Sequence, residues 1–218
     1  SNETMSAPGN NLPQARQFLA GVSNSNYGYF GAGEAPPEVV TVDRIDFSNE
    51  TASAAANNLP QAKDGMITVS TPNYGYFAGG RTWPPSVFYT DIYSMDFANE
   101  TFSLPGNNLP PQGKSRGSGV FNTNYGYFSA ALIGPGGNAT ATVDRIDFSN
   151  DSISQPGNNL PQGRYDAGAV STLNYGYFGG GNYPVKNTVD RINFIDDTTD
   201  TAANNLPQAR EALAGVSN

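Results

Sequence analysis

The tetrapeptide Asn-Asn-Leu-Pro begins at Asn10, Asn57, Asn107, Asn158 and Asn204. Successive copies lie 47, 50, 51 and 46 residues apart. Two further blocks keep the same beat. NYGYF starts at Asn26, Asn73, Asn124 and Asn174. The third reads TVDRIDF from Thr41, DIYSMDF from Asp91, TVDRIDF from Thr142 and TVDRINF from Thr188. A unit of this length is one supersecondary element that cannot bury its apolar face alone, so copies must stack.

Each copy contains four strand-sized pieces: the stretch from Phe18, YGYFGAG from Tyr27, TVDRIDFSN from Thr41, and a short piece around Glu50. Residues that favour turns (Asn, Ser, Gly and Pro) separate them. Four short strands per repeat predict an all-β chain, a β-propeller of four-stranded blades. The expected units are blades at 10–56, 57–106, 107–157 and 158–203, with an outer strand at 1–9 and an inner strand at 204–218 sharing a split fifth blade. A ring of five blade positions is the favoured closure, because joining strands from both ends removes a free sheet edge. A four-bladed ring with redundant ends and a window on a longer repeat protein are the alternatives.

Alternation along a strand puts Tyr27 and Tyr29 on one face and Gly28 on the other. Glycine inside a strand calls for a close neighbour, expected at Gly28, Gly75, Gly126 and Gly176. Phe47, Phe97, Phe148 and Phe194 are expected core anchors. Asp46, Asp96 and Asp147 recur at one position, and Arg16, Lys63, Lys114, Arg164 and Arg210 at another. A basic residue in every copy fits scaffolding, and the expected role is a within-blade ion pair with these aspartates.

Composition removes several functions. The chain has 218 residues, a net charge of -8 and only 11 Lys and Arg residues, which disfavours a nucleic-acid partner. No apolar run approaches the roughly 20 residues that span a bilayer. Cys and His are both absent, so imidazole or thiolate metal sites and a serine-histidine triad are excluded. No acidic pair stands apart from the repeat as a glycosidase would need. No cofactor, metal or catalytic residue is expected. The Asn-x-Thr and Asn-x-Ser triplets at Asn2, Asn49, Asn99, Asn138 and Asn150 match the N-glycosylation pattern, but Ser-Asn-Glu-Thr is also a good hairpin turn.

The order LPQAR, LAGVSN, YGYFGAG, VDRIDFSNET resembles the kelch repeat over essentially the whole chain, although the Trp usual in the fourth kelch strand is missing. Kelch-fold oxidases that use a copper radical need Cys and His, which this chain lacks. The wording YGYFGGG with VDRIDFSND is also similar to repeat proteins of marine bacteriophages, especially those of cyanobacteria. That resemblance implies a virion or tail component. It implies a virion or extracellular location, with the cytoplasm left open, and a homo-oligomer or a place in a larger virion assembly.

The segments between the second and third strands diverge: GEAPPEVV from Gly33, GRTWPPSVFY from Gly80, ALIGPGGNATA from Ala131 and GNYPVKN from Gly181. Divergence inside a kept scaffold marks the working surface. Trp83, the single Trp, sits beside Arg81, and Tyr183 and Lys186 hold comparable places. These four are the candidate binding residues, for another protein or a surface glycan. The expected function is a non-enzymatic structural or adhesive module. A lectin with one site per blade is the alternative, using repeated residues such as Asn57 and Asn58. A glycoside hydrolase is a distant third.

Overall fold

The computed structural model describes residues 10–134 and 136–216. The strand expected at 1–9 lies outside the described residues. The chain is all-β, with 21 strands and no helix among the described residues.

Each repeat forms one antiparallel four-stranded sheet. The first holds β1 (Ala20–Ser23), β2 (Tyr27–Gly31), β3 (Val42–Asp46) and β4 (Thr51–Ala54) in that order. The second contains β5 (Ile67–Ser70), β6 (Tyr74–Ala78), a small hairpin of β7 (Arg81–Thr82) and β8 (Val87–Phe88), then β9 (Ile92–Asp96) and β10 (Thr101–Ser103). Its sheet order is β5-β6-β9-β10. In the third repeat β11 (Lys114–Ser115), β14 (Leu132–Ile133) and β15 (Asn138–Ala139) form a side sheet. The main sheet there is β12 (Ser118–Phe121), β13 (Tyr125–Ser129), β16 (Asp144–Asp147) and β17 (Ser152–Ser154). The fourth is β18 (Gly168–Ser171), β19 (Tyr175–Gly179), β20 (Val189–Asn193) and β21 (Thr199–Thr201).

The sheets stack in chain order, with β1 against β5, β5 against β12 and β12 against β18. Three apolar cores fill the three junctions. Val22, Tyr29, Met95 and Phe97 belong to the first, Val69, Tyr76, Phe128 and Ile146 to the second, and Val120, Tyr127, Ile192 and Phe194 to the third. The strand glycines allow this approach. A Cβ on Gly126 would lie 2.6 Å from Val69, and one on Gly176 would lie 2.4 Å from Val120, closer than real atoms sit. Among the described residues Gly28 has no such neighbour; its nearest atoms belong to Ile45 and Phe47 of its own repeat.

Each junction carries the same polar clasp. Tyr29 donates to Glu100 at 3.2 Å, Tyr76 to Asp151 at 2.8 Å and Tyr127 to Asp197 at 2.8 Å. Arg44 adds a 2.6 Å bond to Glu100, and Arg145 pairs with Asp197. The same tyrosines stack on Phe97, Phe148 and Phe194 at 5.3, 5.3 and 5.0 Å. The acidic acceptors sit in the β3–β4 type of turn with left-handed backbone, φ 56° at Glu100, 55° at Asp151 and 57° at Asp197. Phe47, expected in the core, is instead 50% exposed, because no sheet packs on that side of it among the described residues.

The repeated basic residue plugs each sheet from within, but not through the aspartates expected. Arg16 meets Asp43 at 2.7 Å, Lys114 meets Asp144 at 2.9 Å and Arg164 meets Asp190 at 2.5 Å, all essentially buried. Lys63 meets Asp91 at 2.5 Å. Asp46 and Asp147 are three residues beyond the paired aspartate and Asp96 five, an odd number that puts each on the other face of the strand, so they cannot reach. They close the following turn, accepting from the backbone N–H of Ser48 (2.8 Å), Ala98 (2.8 Å) and Ser149 (2.9 Å). The serine hydroxyls, and then those N–H bonds, hold the Asp46 and Asp147 carboxyls below their ordinary value. Asn49 likewise serves its own turn, accepting from Thr51 N–H at 3.0 Å and from the Thr51 hydroxyl at 2.6 Å.

Candidate functional site at the loop end

The segments following β2, β6, β13 and β19 all return to one end of the sheets, beside the residues that follow the repeated basic plug. Backbone pairing fixes this. Gln17 bridges Glu34, Asp64 bridges Arg81 and Tyr165 bridges Asn182. Neighbouring sheets are tied at the same end, Gly33 N–H to Lys63 C=O at 2.9 Å and Gly80 N–H to Lys114 C=O at 2.8 Å.

A chain of hydrogen bonds crosses this end from sheet to sheet. Gly65 N–H donates to Phe18 C=O at 3.1 Å, Arg116 to Gly65 at 2.7 Å and Asp166 to Arg116 at 3.0 Å. All four residues have left-handed backbone, with φ 54° at Phe18, 60° at Gly65, 53° at Arg116 and 54° at Asp166. Their side chains share nothing, although their positions in the repeat are equivalent. Arg116 lies over the Phe18 ring at 4.9 Å and the Tyr165 ring at 5.2 Å. Its Nε donates to Asp166 at 2.9 Å. This is a cation held by a carboxylate and by aromatic faces from two other repeats. Sequence reasoning passed over it. The available signal was the dipeptide after each plug, which reads Gln-Phe, Asp-Gly, Ser-Arg and Tyr-Asp while its surroundings stay constant.

Arg81 is half-buried and donates through Nε to Asp64 at 3.1 Å. Burial raises the Asp64 carboxyl above its usual range, and Arg81 opposes the rise. Trp83 and Tyr183 are 61% and 60% exposed. The Trp83 backbone N–H donates to Glu38 of the first repeat at 2.6 Å, which ties the loops of two sheets. Lys186 is half-buried, its backbone bonded to Gly181 and Arg210. The structure therefore groups Arg81 and Trp83 with the Asp64 edge. Tyr183 and Lys186 belong to the Tyr165 edge.

The repeated residues are spent elsewhere. Tyr29, Tyr76 and Tyr127 are 1%, 3% and 0% exposed. Arg44, Arg145 and Arg191 cover the rings of Tyr27, Tyr125 and Tyr175 at 4.7, 4.6 and 4.8 Å. Asn58 accepts from Val42 N–H at 3.2 Å. Arg210 departs from its siblings, since it is exposed and among the described residues its guanidinium reaches only Gln208, at 3.4 Å. The opposite end of the sheets has a cavity of about 320 Å³ formed by hairpin turns, Thr71, Pro72, Phe121, Asn122, Thr172 and Leu173 among them, with no charged residue in its wall.

No protein-family profile and no curated protein matches the chain. Among solved structures it is similar to one described as "Structure of YjhT", with a TM-score of 0.77 and 14% identity, over 95% of this chain and 71% of that one. At that identity the likeness concerns the fold alone. No group of three or more His, Cys, Asp or Glu residues among the described residues is arranged to hold a metal ion.

Proposed function

We propose that the four sheets are blades of a kelch-like β-propeller and that the chain is a non-enzymatic recognition module. It engages one protein partner through its loop end, on a virion or outside a cell. The repeat length, the four-stranded sheets and their stacking in chain order support the propeller reading.

The observation that carries the functional reading is the division of labour between shared and unshared residues. Tyr29, Tyr76 and Tyr127, with Arg44 and Arg145, are consumed in the junction clasps, and Asn58 accepts from a backbone N–H. The exposed aromatics, Trp83 and Tyr183, are unshared. A lectin with one site per blade would need repeated residues to be free, so this favours a single interface over repeated glycan sites. Exposed Trp, Tyr and Arg are also the side chains that dominate protein interfaces. The loop-end carboxylates Asp64 and Asp166 are each engaged by an arginine, while Glu34 accepts from Gln17 Nε2 and Glu38 from the Trp83 N–H.

Affinity capture from host-cell surface extract, with wild type beside Trp83→Ala and Tyr183→Ala, tests the reading. Both variants should keep the wild-type melting temperature and lose the captured protein. A glycan array run alongside decides the alternative: glycan binding abolished by Asn58→Ala but untouched by Trp83→Ala would replace this reading with the lectin.

A further inference from the structure

We propose that this chain associates head to tail with a second copy of itself by strand exchange: residues 204–218 of one copy take the place of residues 10–24 in the first sheet of the next.

Three observations carry this independently of what the loop end binds. The first is the duplication. Residues 10–24 and 204–218 differ only at Gln17/Glu211 and Phe18/Ala212. Apart from the Gln17 Nε2 donation to Glu34 and the Phe18 ring under Arg116, which Glu211 and Ala212 cannot repeat, the contacts of residues 10–24 can therefore be remade by the second segment. Two segments this alike can hold the same place in the sheet, the displaced one being released, which is swapping of near-identical elements.

The second is where the C-terminal segment sits. It is docked on the fourth sheet as each inner strand is docked on the sheet before it. A Cβ on Gly215 would lie 2.0 Å from the Ala169 carbonyl, as one on Gly119 would lie 2.1 Å from that of Thr68. Gly181 N–H donates to Arg210 C=O at 2.9 Å, as Gly80 does to Lys114 at 2.8 Å. Yet no strand pairs with this segment among the described residues. It holds the place of an inner strand and is unpaired among the described residues.

The third is that the two outer faces of the stack are complementary halves of the clasp at the internal junctions. On the fourth sheet Val170 is 39% exposed, whereas its equivalents Val22, Val69 and Val120 are buried against glycines. Tyr177 has no carboxylate opposite it among the described residues, and Arg191 turns back to Asp200 of its own sheet at 2.5 Å. On the first sheet Gly28 lacks its valine, Phe47 lacks its tyrosine, and the exposed Glu50, φ 58°, lacks both hydroxyl and arginine donors among the described residues. Bringing fourth sheet to first pairs Val170 with Gly28, Tyr177 with Phe47 and Glu50, and Arg191 with Glu50. Arg210 then enters the place of Arg16, on Asp43 and the Phe30 carbonyl, which Arg16 reaches at 2.7 and 2.8 Å.

Sedimentation velocity over a wide concentration range tests this on the 218-residue chain. The expected result is a shift from 23.0 kDa to two or more chain masses as concentration rises. Val170→Glu and Arg210→Glu should each weaken self-association by at least about tenfold. Neither should lower the melting temperature of the dilute monomer, because both side chains are exposed there. A single 23.0 kDa species at every concentration overturns the proposal. So does association that survives Arg210→Glu, which would mean that faces meet without exchange. A monomer whose Arg210→Glu variant melts lower has closed on itself, and overturns it too.

Discussion

The second and fourth sheets solve the same problem with different chemistry. In the fourth, the Arg164 guanidinium is fully buried and donates to the carbonyls of Gly180 and Thr188 at 2.8 and 2.9 Å and to Asp190 at 2.5 Å. In the second the plug is Lys63, and the strand position matching Asp190 is Tyr93. The carboxylate has moved to Asp91, two residues earlier and therefore on the same face, and the Tyr89 and Tyr93 rings lie under the ammonium at 4.4 and 4.7 Å. Burial pushes Lys63 down from its usual value, and Asp91 pulls it back. What the scaffold demands is an anion on that face of the third strand, not an aspartate at that position.

The strongest way to break the comparison is to remove each plug. Arg164→Ala leaves Asp190 buried without its partner and should cost about 3–5 kcal/mol by urea denaturation. Lys63→Ala should cost less, since the Asp91 side chain keeps 22% exposure and can turn to water. Next, moving the carboxylate back tests the claim about faces. Asp91→Thr alone should destabilise, and Asp91→Thr with Tyr93→Asp should recover more than half of the loss; no recovery would tie the function to one position.

A smaller effect concerns Ser94, which stands where the other sheets have Arg44, Arg145 and Arg191. Without an arginine above it, Tyr74 is 42% exposed. Ser94→Arg should cover that ring, add a donor toward Asp151, and raise stability by about 0.5–1 kcal/mol. The smallest effect is alkaline. Burial, and then the neighbouring Glu100, push Tyr29 up to about 12, and burial, then the hydrogen bonds to Asp151 and Asp197, raise Tyr76 and Tyr127. A folded value above the free one means stabilisation that is complete below about pH 10 and lost as pH rises through the folded values. The melting temperature should therefore fall above about pH 10, and more shallowly in Tyr76→Phe.

The strands were legible because the period-two pattern and the turn residues repeat together. The segment expected from Tyr27 is β2, that from Thr41 contains β3, and the short piece near Glu50 leads into β4. The ion-pair partner was not legible. Asp43 and Asp46 both recur in VDRID, and only the position of Arg16 in space separates the face that is plugged from the one that turns. Phe47 shows a second limit. Its sequence environment matches that of Phe97 and Phe194, at 7% and 8% exposure, but burial is conferred by the neighbouring sheet and not by the strand. At the loop end, exposed Trp83 could be singled out by type. Arg116 could not, because its rings come from other repeats, Phe18 two repeats before it and Tyr165 one repeat after it.

The hydrogen-bonded row of left-handed residues across the loop end separates backbone from content. Phe18, Gly65, Arg116 and Asp166 hold nearly one conformation, fixed by main-chain bonds alone, while carrying an aromatic ring, no side chain, a cation and an anion. Such a row behaves as a set of sockets. A Cβ at Gly65 would lie 2.5 Å from Ser115 Oγ, so that socket stays empty, and the other three, coupled through Arg116, set what the surface presents. A library randomised together at Phe18, Arg116 and Asp166 is the natural starting point for redirecting the protein.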